Sequence, residues 1–174
     1  MRTSKALHFI LWVIVLSFFG CAQKSTAVAE IKKFPLDSLE GVITQSSVTI
    51  DKDVSSDGKG SLRITAESPT VVRLFETGDI DVENARLVYQ ARVKTENVQG
   101  QVFLEMWCHF PGKGEFFSRG LETPLTGTVE WATEETPFFL QKGENPDNVK
   151  LNFVINGTGT VWIDDIKLLK GPLQ

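Results

Sequence analysis

Over residues 101–110 the sequence QVFLEMWCHF alternates strictly: Val102, Leu104, Met106, Cys108 and Phe110 share one parity, and Gln101, Phe103, Glu105, Trp107 and His109 the other. The first set suits a core, which leaves the second on the opposite side of a strand. Phe103, Glu105, Trp107 and His109 then combine two aromatic side chains, a carboxylate and an imidazole on one surface. Aromatic rings stack on the apolar C–H side of a pyranose while charged and amide groups hydrogen-bond its hydroxyls, so glycan binding is the chemistry open to this set. Gln90 and Arg92 join it if their strand lies in the same sheet, and Asn152 has outward parity within residues 150–155. The alternative is a minor buried cluster, with the segment 112–126 folded over Trp107.

Catalysis has less to stand on. Glu105 with Glu115 or Glu130 could imitate a glycosidase pair, but nothing in the sequence sets the roughly 5–10 Å separation such chemistry needs. His109 beside Glu105 reads as a polar surface pair, and no serine elbow, phosphate loop or His-rich metal motif occurs. The chain is therefore expected to be a non-enzyme.

Holding such a surface requires a sheet, and the rest of the chain has the period of strands. Leu87, Tyr89, Ala91 and Val93 alternate with Gln90 and Arg92, and Leu151, Phe153 and Ile155 alternate with Asn152 and Val154. Shorter strands are expected at residues 42–50, 61–66, 71–76, 128–132, 136–141 and 160–169. Turn chemistry separates them, as in Asp57-Gly58-Lys59-Gly60, Pro111-Gly112-Lys113-Gly114 and Asn156-Gly157-Thr158-Gly159. After residue 33 no helical period persists, and about nine strands spaced by turns indicate an all-β, antiparallel β-sandwich.

The N-terminus reads as an address. Arg2 and Lys5 precede an apolar run over residues 6–19, and Gly20 and Cys21 follow. This is the pattern of a secretory signal. Fourteen residues would span about 21 Å as a helix, short of the roughly 30 Å hydrocarbon core. Phe18-Phe19-Gly20-Cys21 resembles the bacterial lipobox, although that motif usually has Leu and a small residue where Phe18 and Phe19 stand. The resemblance implies lipidation of Cys21, an exported protein anchored to a bacterial membrane, and, from Ala22, the outer membrane. The expected organisation is a signal over residues 1–20, a tether over 21–33 and one sandwich domain over 34–174. Cys108, the second cysteine, then reads as a small buried apolar residue. The formal charge is −4, from 18 bases and 22 acids, and loss of Arg2 and Lys5 with the signal makes it more negative. Such a chain is not expected to bind nucleic acid.

Three segments carry a further resemblance. The closing run of residues 159–168, GTVWIDDIKL, the run 56–64, SDGKGSLRI, and Thr128-Val129-Glu130-Trp131 look like strands of the jelly-roll carbohydrate-binding modules, the cellulose- and xylan-binding families with a galactose-binding-like fold. The likeness implies a non-catalytic module whose concave sheet carries the sugar cleft, with Trp131 and Trp162 as packing residues. It also implies one structural Ca²⁺, held by Asp164, by an early acid such as Asp37 or Glu40, and by backbone carbonyls of the turn 57–60, Lys59 among them. The expected role is a lipid-anchored envelope protein that binds a glycan; the alternative is an accessory lipoprotein that docks through its sandwich onto an envelope protein.

Overall fold

The computed structural model describes residues 27–173, so the apolar N-terminal run and Cys21 lie outside the described residues. Every regular element among them is a strand: β1 (Ala29–Phe34), β2 (Val48–Asp51), β3 (Ser61–Ala66), β4 (Thr70–Thr77), β5 (Ala85–Phe110), β6 (Gly114–Arg119), β7 (Leu125–Leu140) and β8 (Asn148–Gly171). All pairings are antiparallel. The all-β architecture expected from the alternation is the one found.

Two strands organise the rest. β5 and β8 pair along nearly their whole lengths, from Arg86 opposite Gly171 to His109 opposite Asn148. The sequence separates residues 86–94 from 101–110 and 150–155 from 160–169, whereas the chain keeps each couple as one strand that turns a corner. At that corner Gly100 lies opposite Gly157. A Cβ on Gly100 would lie 2.2 Å from the Asn156 carbonyl oxygen, and one on Gly157 would lie 1.9 Å from that of Gln99. Gly100 also has φ of +120°, in the region side chains avoid. The turn residues seen in sequence therefore mark a bend inside a ladder.

The corner divides the sheet into two halves. In the first, residues 148–156 of β8 and 101–110 of β5 are flanked by β4 and β6. In the second, the C-terminal part of β8 and the N-terminal part of β5 are flanked by β3 and β2 on one side and β7 on the other. Leu104, Met106, Leu151 and Phe153 from the first half and Leu62, Leu87, Ile163 and Leu168 from the second belong to one buried cluster. Burying each such side chain contributes about 1.5–3 kcal/mol. Cys108 is part of this core, and burial pushes its thiol up to about 12. Along one margin the halves meet where the hydroxyls of Ser118 on β6 and Thr136 on β7 lie 2.9 Å apart.

Three expectations need correction. Residues 29–33, read as the end of a tether, form most of β1 and pair with β8, from Ala29 opposite Lys170 to Phe34 opposite Ile166. The segment 112–126, read as a loop, contains β6, which extends the first half-sheet at its edge. The strand expected over 42–50 is reduced to β2, because Val42 closes a turn onto Leu39 and Ile43 and Thr44 donate to Leu74 and Arg73 instead.

Two outcomes follow from this architecture. Gly100→Ala should cost about 3 kcal/mol or more, because a carbonyl stands where its Cβ must go; Gly112→Ala, with nothing within 4 Å, should cost only about 1 kcal/mol. Urea denaturation of both variants checks the contrast. Glu134, buried on the inner side of β7, has its carboxyl raised to about 7 by loss of solvation. A raised carboxyl favours the fold below its unfolded pKa near 4.5, and that contribution is lost as pH rises through 7. Glu134→Gln should therefore raise the Tm by several degrees at pH 8 and leave it nearly unchanged at pH 4.

Candidate functional site

The outer side of the first half-sheet presents four cross-strand rows. Strand register places Val71, Val154 and Phe103 in one; Arg73, Asn152, Glu105 and Arg119 in the next; Glu76, Lys150, Trp107 and Phe117 in the third; and Asn148, His109 and Glu115 in the last. Side chains directly opposite on one sheet side touch, so each row is a unit of contact.

Glu105 is the hub of the second row. Its carboxylate is only 4% exposed and receives three donors: Trp107 Nε1 at 2.7 Å and Asn152 Nδ2 at 3.0 Å on Oε1, and Arg119 Nε at 2.6 Å on Oε2. Burial by itself would raise the carboxyl, but the bonds from Asn152, Trp107 and Arg119, with the Arg119 charge, outweigh it and hold the group below its usual range. The same bonds fix the three donors. The Trp107 ring meets Phe117 at 4.9 Å between centroids and 43° between planes, and the Arg119 guanidinium lies 4.5 Å from the centre of the Phe117 ring. Phe117 is 51% exposed, so the assembly ends in an open aromatic surface backed by the Arg119 cation, itself paired with a buried carboxylate.

Beside it runs an open groove of about 390 Å³, lined by Val71, Arg73, Trp107, Lys150 and Asn152 with Glu105 and Glu115. Lys150 pairs with Glu115 and lies 3.9 Å from Glu76, and Arg73 lies 3.6 Å from Glu76. The charges bordering the groove thus compensate one another. His109 hydrogen-bonds Asp147 at 2.5 Å, on the margin of the site.

Of the residues singled out in sequence, Phe103, Glu105, Trp107, His109 and Asn152 lie together here. Phe103 and Glu105 are buried, and of the two aromatic residues it is Trp107 that borders the groove. Gln90 and Arg92 do not join them. They lie beyond the corner, in the second half-sheet, where Gln90 bonds Glu135 at 2.5 Å and Arg92 bonds Thr133 and the Trp131 carbonyl at 2.8 and 2.7 Å. Glu130 is in that half as well, paired with Lys94. Glu105, held below its usual range by three donors, is a poor proton donor. β6 contributes one ring of the pair, Phe117, and extends the sheet at its edge beside Trp107. Phe117, Arg119, Arg73 and Lys150 were missed. Glu115, Phe117 and Arg119 do alternate directly after Pro111-Gly112-Lys113-Gly114, a pattern consistent with the return strand of a hairpin.

The residues expected around calcium are engaged by other groups. Lys52 Nζ donates to the carbonyls of Asp37 at 2.6 Å and Lys59 at 3.0 Å. Asp164, only 2% exposed, accepts the Ser56 amide and hydroxyl at 2.9 and 2.7 Å and the Asp165 amide at 2.7 Å.

No family model and no curated protein matches this sequence. Solved structures do. The CBM22-1 xylan-binding domain from Paenibacillus barcinonensis Xyn10C superposes with a TM-score of 0.60 at 10% identity, over 85% of this chain and 98% of that one. The fold is that of the carbohydrate-binding modules. A family 16 carbohydrate-binding module gives 0.55 at 11% identity over 75% of this chain and 91% of its own. A family 30 module gives 0.52 at 19% identity over 84% and 88%. The jelly-roll sandwich expected from the closing strand is thereby established, and the site is argued from its own side chains.

Glu105→Ala would leave Arg119, Asn152 and Trp107 without their common acceptor, at an expected cost of about 3 kcal/mol. Because the folded carboxyl is depressed, the stabilisation is present above the unfolded pKa and lost as pH falls through the folded one. The stability gap between Glu105→Gln and the unsubstituted chain should accordingly narrow between pH 5 and pH 3, read by urea denaturation across that range.

Proposed function

We propose that this domain is a non-catalytic glycan-binding module, and that Trp107 and Phe117 are its stacking surface. The observation that carries the reading is the locked aromatic pair beside an open groove, with Arg73, Asn152 and Lys150 as hydrogen-bonding groups for hydroxyls. A sugar ring gains dispersion and C–H contact on such a surface, and groups held in place beforehand lose little entropy on binding. The mutual pairing of the bordering charges favours a neutral glycan over an acidic one. The fold supports the same reading, since the structures it resembles are carbohydrate-binding modules.

The setting we infer is a bacterial envelope, with Cys21 lipidated, the domain exported and anchored at the outer membrane, and the sandwich held at its surface. The resemblance of residues 18–21 to a lipobox supports this setting. A second reading, docking onto an envelope protein, draws on the exposed Phe116, Leu121 and Phe139.

Phe117→Ala removes a half-exposed ring and should leave the circular dichroism spectrum unchanged while weakening glycan binding at least about tenfold on an array. Trp107→Ala should abolish it. Unchanged binding in both variants would place the ligand elsewhere, and a well-folded chain that binds no glycan on the array would favour the docking reading.

A further inference from the structure

The loop between β2 and β3, residues 52–60, is braced at three points by side chains of the protein. At its start Asp51 accepts the amides of Asp53 and Val54, each at 3.0 Å, and Nε1 of Trp162 on β8 at 2.9 Å. In its middle Asp164 takes both donors of Ser56. Asp164 sits where β8 changes its edge partner, from β3 up to Ile163 to β1 from Ile166. The third brace is Lys52. Its ammonium joins a carbonyl of the entry segment, Asp37, to one near the end of the loop, Lys59. Gly60 lets it lie there, since a Cβ on that residue would come 3.2 Å from both Lys52 Cδ and Nζ.

These are the residues that the resemblance assigns to calcium, and they do not fit it. Calcium needs six to eight oxygens at about 2.3–2.6 Å. Two of the candidate oxygens, those of Asp37 and Lys59, already face a cation. Both oxygens of Asp164 are occupied by donors. Among the described residues no group of three Asp, Glu, His or Cys side chains is placed to hold a metal ion, so backbone carbonyls would have to supply most of the ligands. A second cation placed among these groups would meet the ammonium at short range, where like charges repel strongly.

We propose that the Lys52 ammonium is a built-in cation that takes the structural place of the metal, and that the domain folds and acts without calcium. The ammonium is a compact charge with three donors, two of which the carbonyls satisfy. It ties together the segment entering the domain and the loop before β3, which is the task a bound ion would have at this position. Because it is covalently part of the chain, it cannot be lost to a chelator. The proposal is independent of the ligand assigned to the Trp107 groove.

The test is a melting curve of the purified chain in millimolar calcium and in excess chelator. Filling a site to about a thousand times its dissociation constant would raise the Tm by roughly 10 °C; the expected shift is none. Lys52→Ala should lower the Tm by about 3–6 °C in both buffers through loss of two charge-assisted bonds. The control is Lys59→Ala, which keeps the backbone carbonyl and loses only an exposed pair with Asp57 at 3.3 Å; it should stay within about 1 °C of the unsubstituted chain. A calcium-dependent rise in the unsubstituted chain, or a Lys52→Ala variant that melts like Lys59→Ala, would overturn the proposal. Should Lys52→Ala fail to fold, titration of the unsubstituted chain with Tb³⁺ decides: saturable luminescence sensitised by tryptophan refutes the idea, and its absence supports it.

Discussion

The close approach of Gly100 and Gly157 is the constraint on which the rest of the molecule depends. Two strands of more than twenty residues cross from one half-sheet to the other side by side, and their ladder continues through the bend. Only residues without a Cβ let the backbones come near enough. Everything that follows is decided by which side of the corner a residue occupies. Residues 102–110 carry the groove, and residues 86–94, although they belong to the same strand, support a different surface with β7.

Within the groove, rigidity comes from a charge that never reaches solvent. Glu105 is buried at a cost in solvation, which is recovered because three donors from three strands converge on it. Those donors are the side chains that shape the surface: Trp107 borders the groove, Arg119 backs Phe117 and Asn152 lies on the floor. A buried carboxylate thus sets the orientation of an exposed aromatic surface, a division of labour in which the polar interior supplies position and the rings supply contact area.

The sequence was most informative where structure is decided by local period. The alternation over residues 101–110 assigned Phe103, Glu105, Trp107 and His109 to one side, because successive side chains in a strand can only point in opposite directions. The closing run GTVWIDDIKL pointed to the jelly roll. What could not be read locally was continuity: Asn97 and Gly100 have the composition of a strand break, and only the partner strand shows that the ladder runs on. β6 escaped notice because the adjacent Phe116 and Phe117 break the apolar–polar alternation that would mark a half-buried strand; both are exposed in the fold. Lys52 escaped for a different reason. Its partners are backbone carbonyls, present at every residue and distinguished only by where the chain brings them.

The pairing of β1 with the end of β8 brings the two ends of the folded domain together, with Ala29 opposite Lys170. Both belong to the second half-sheet, whereas the groove opens on the first. A pull applied at Ala29 would therefore enter the structure through the few hydrogen bonds between β1 and β8 before it reaches the core or the rings.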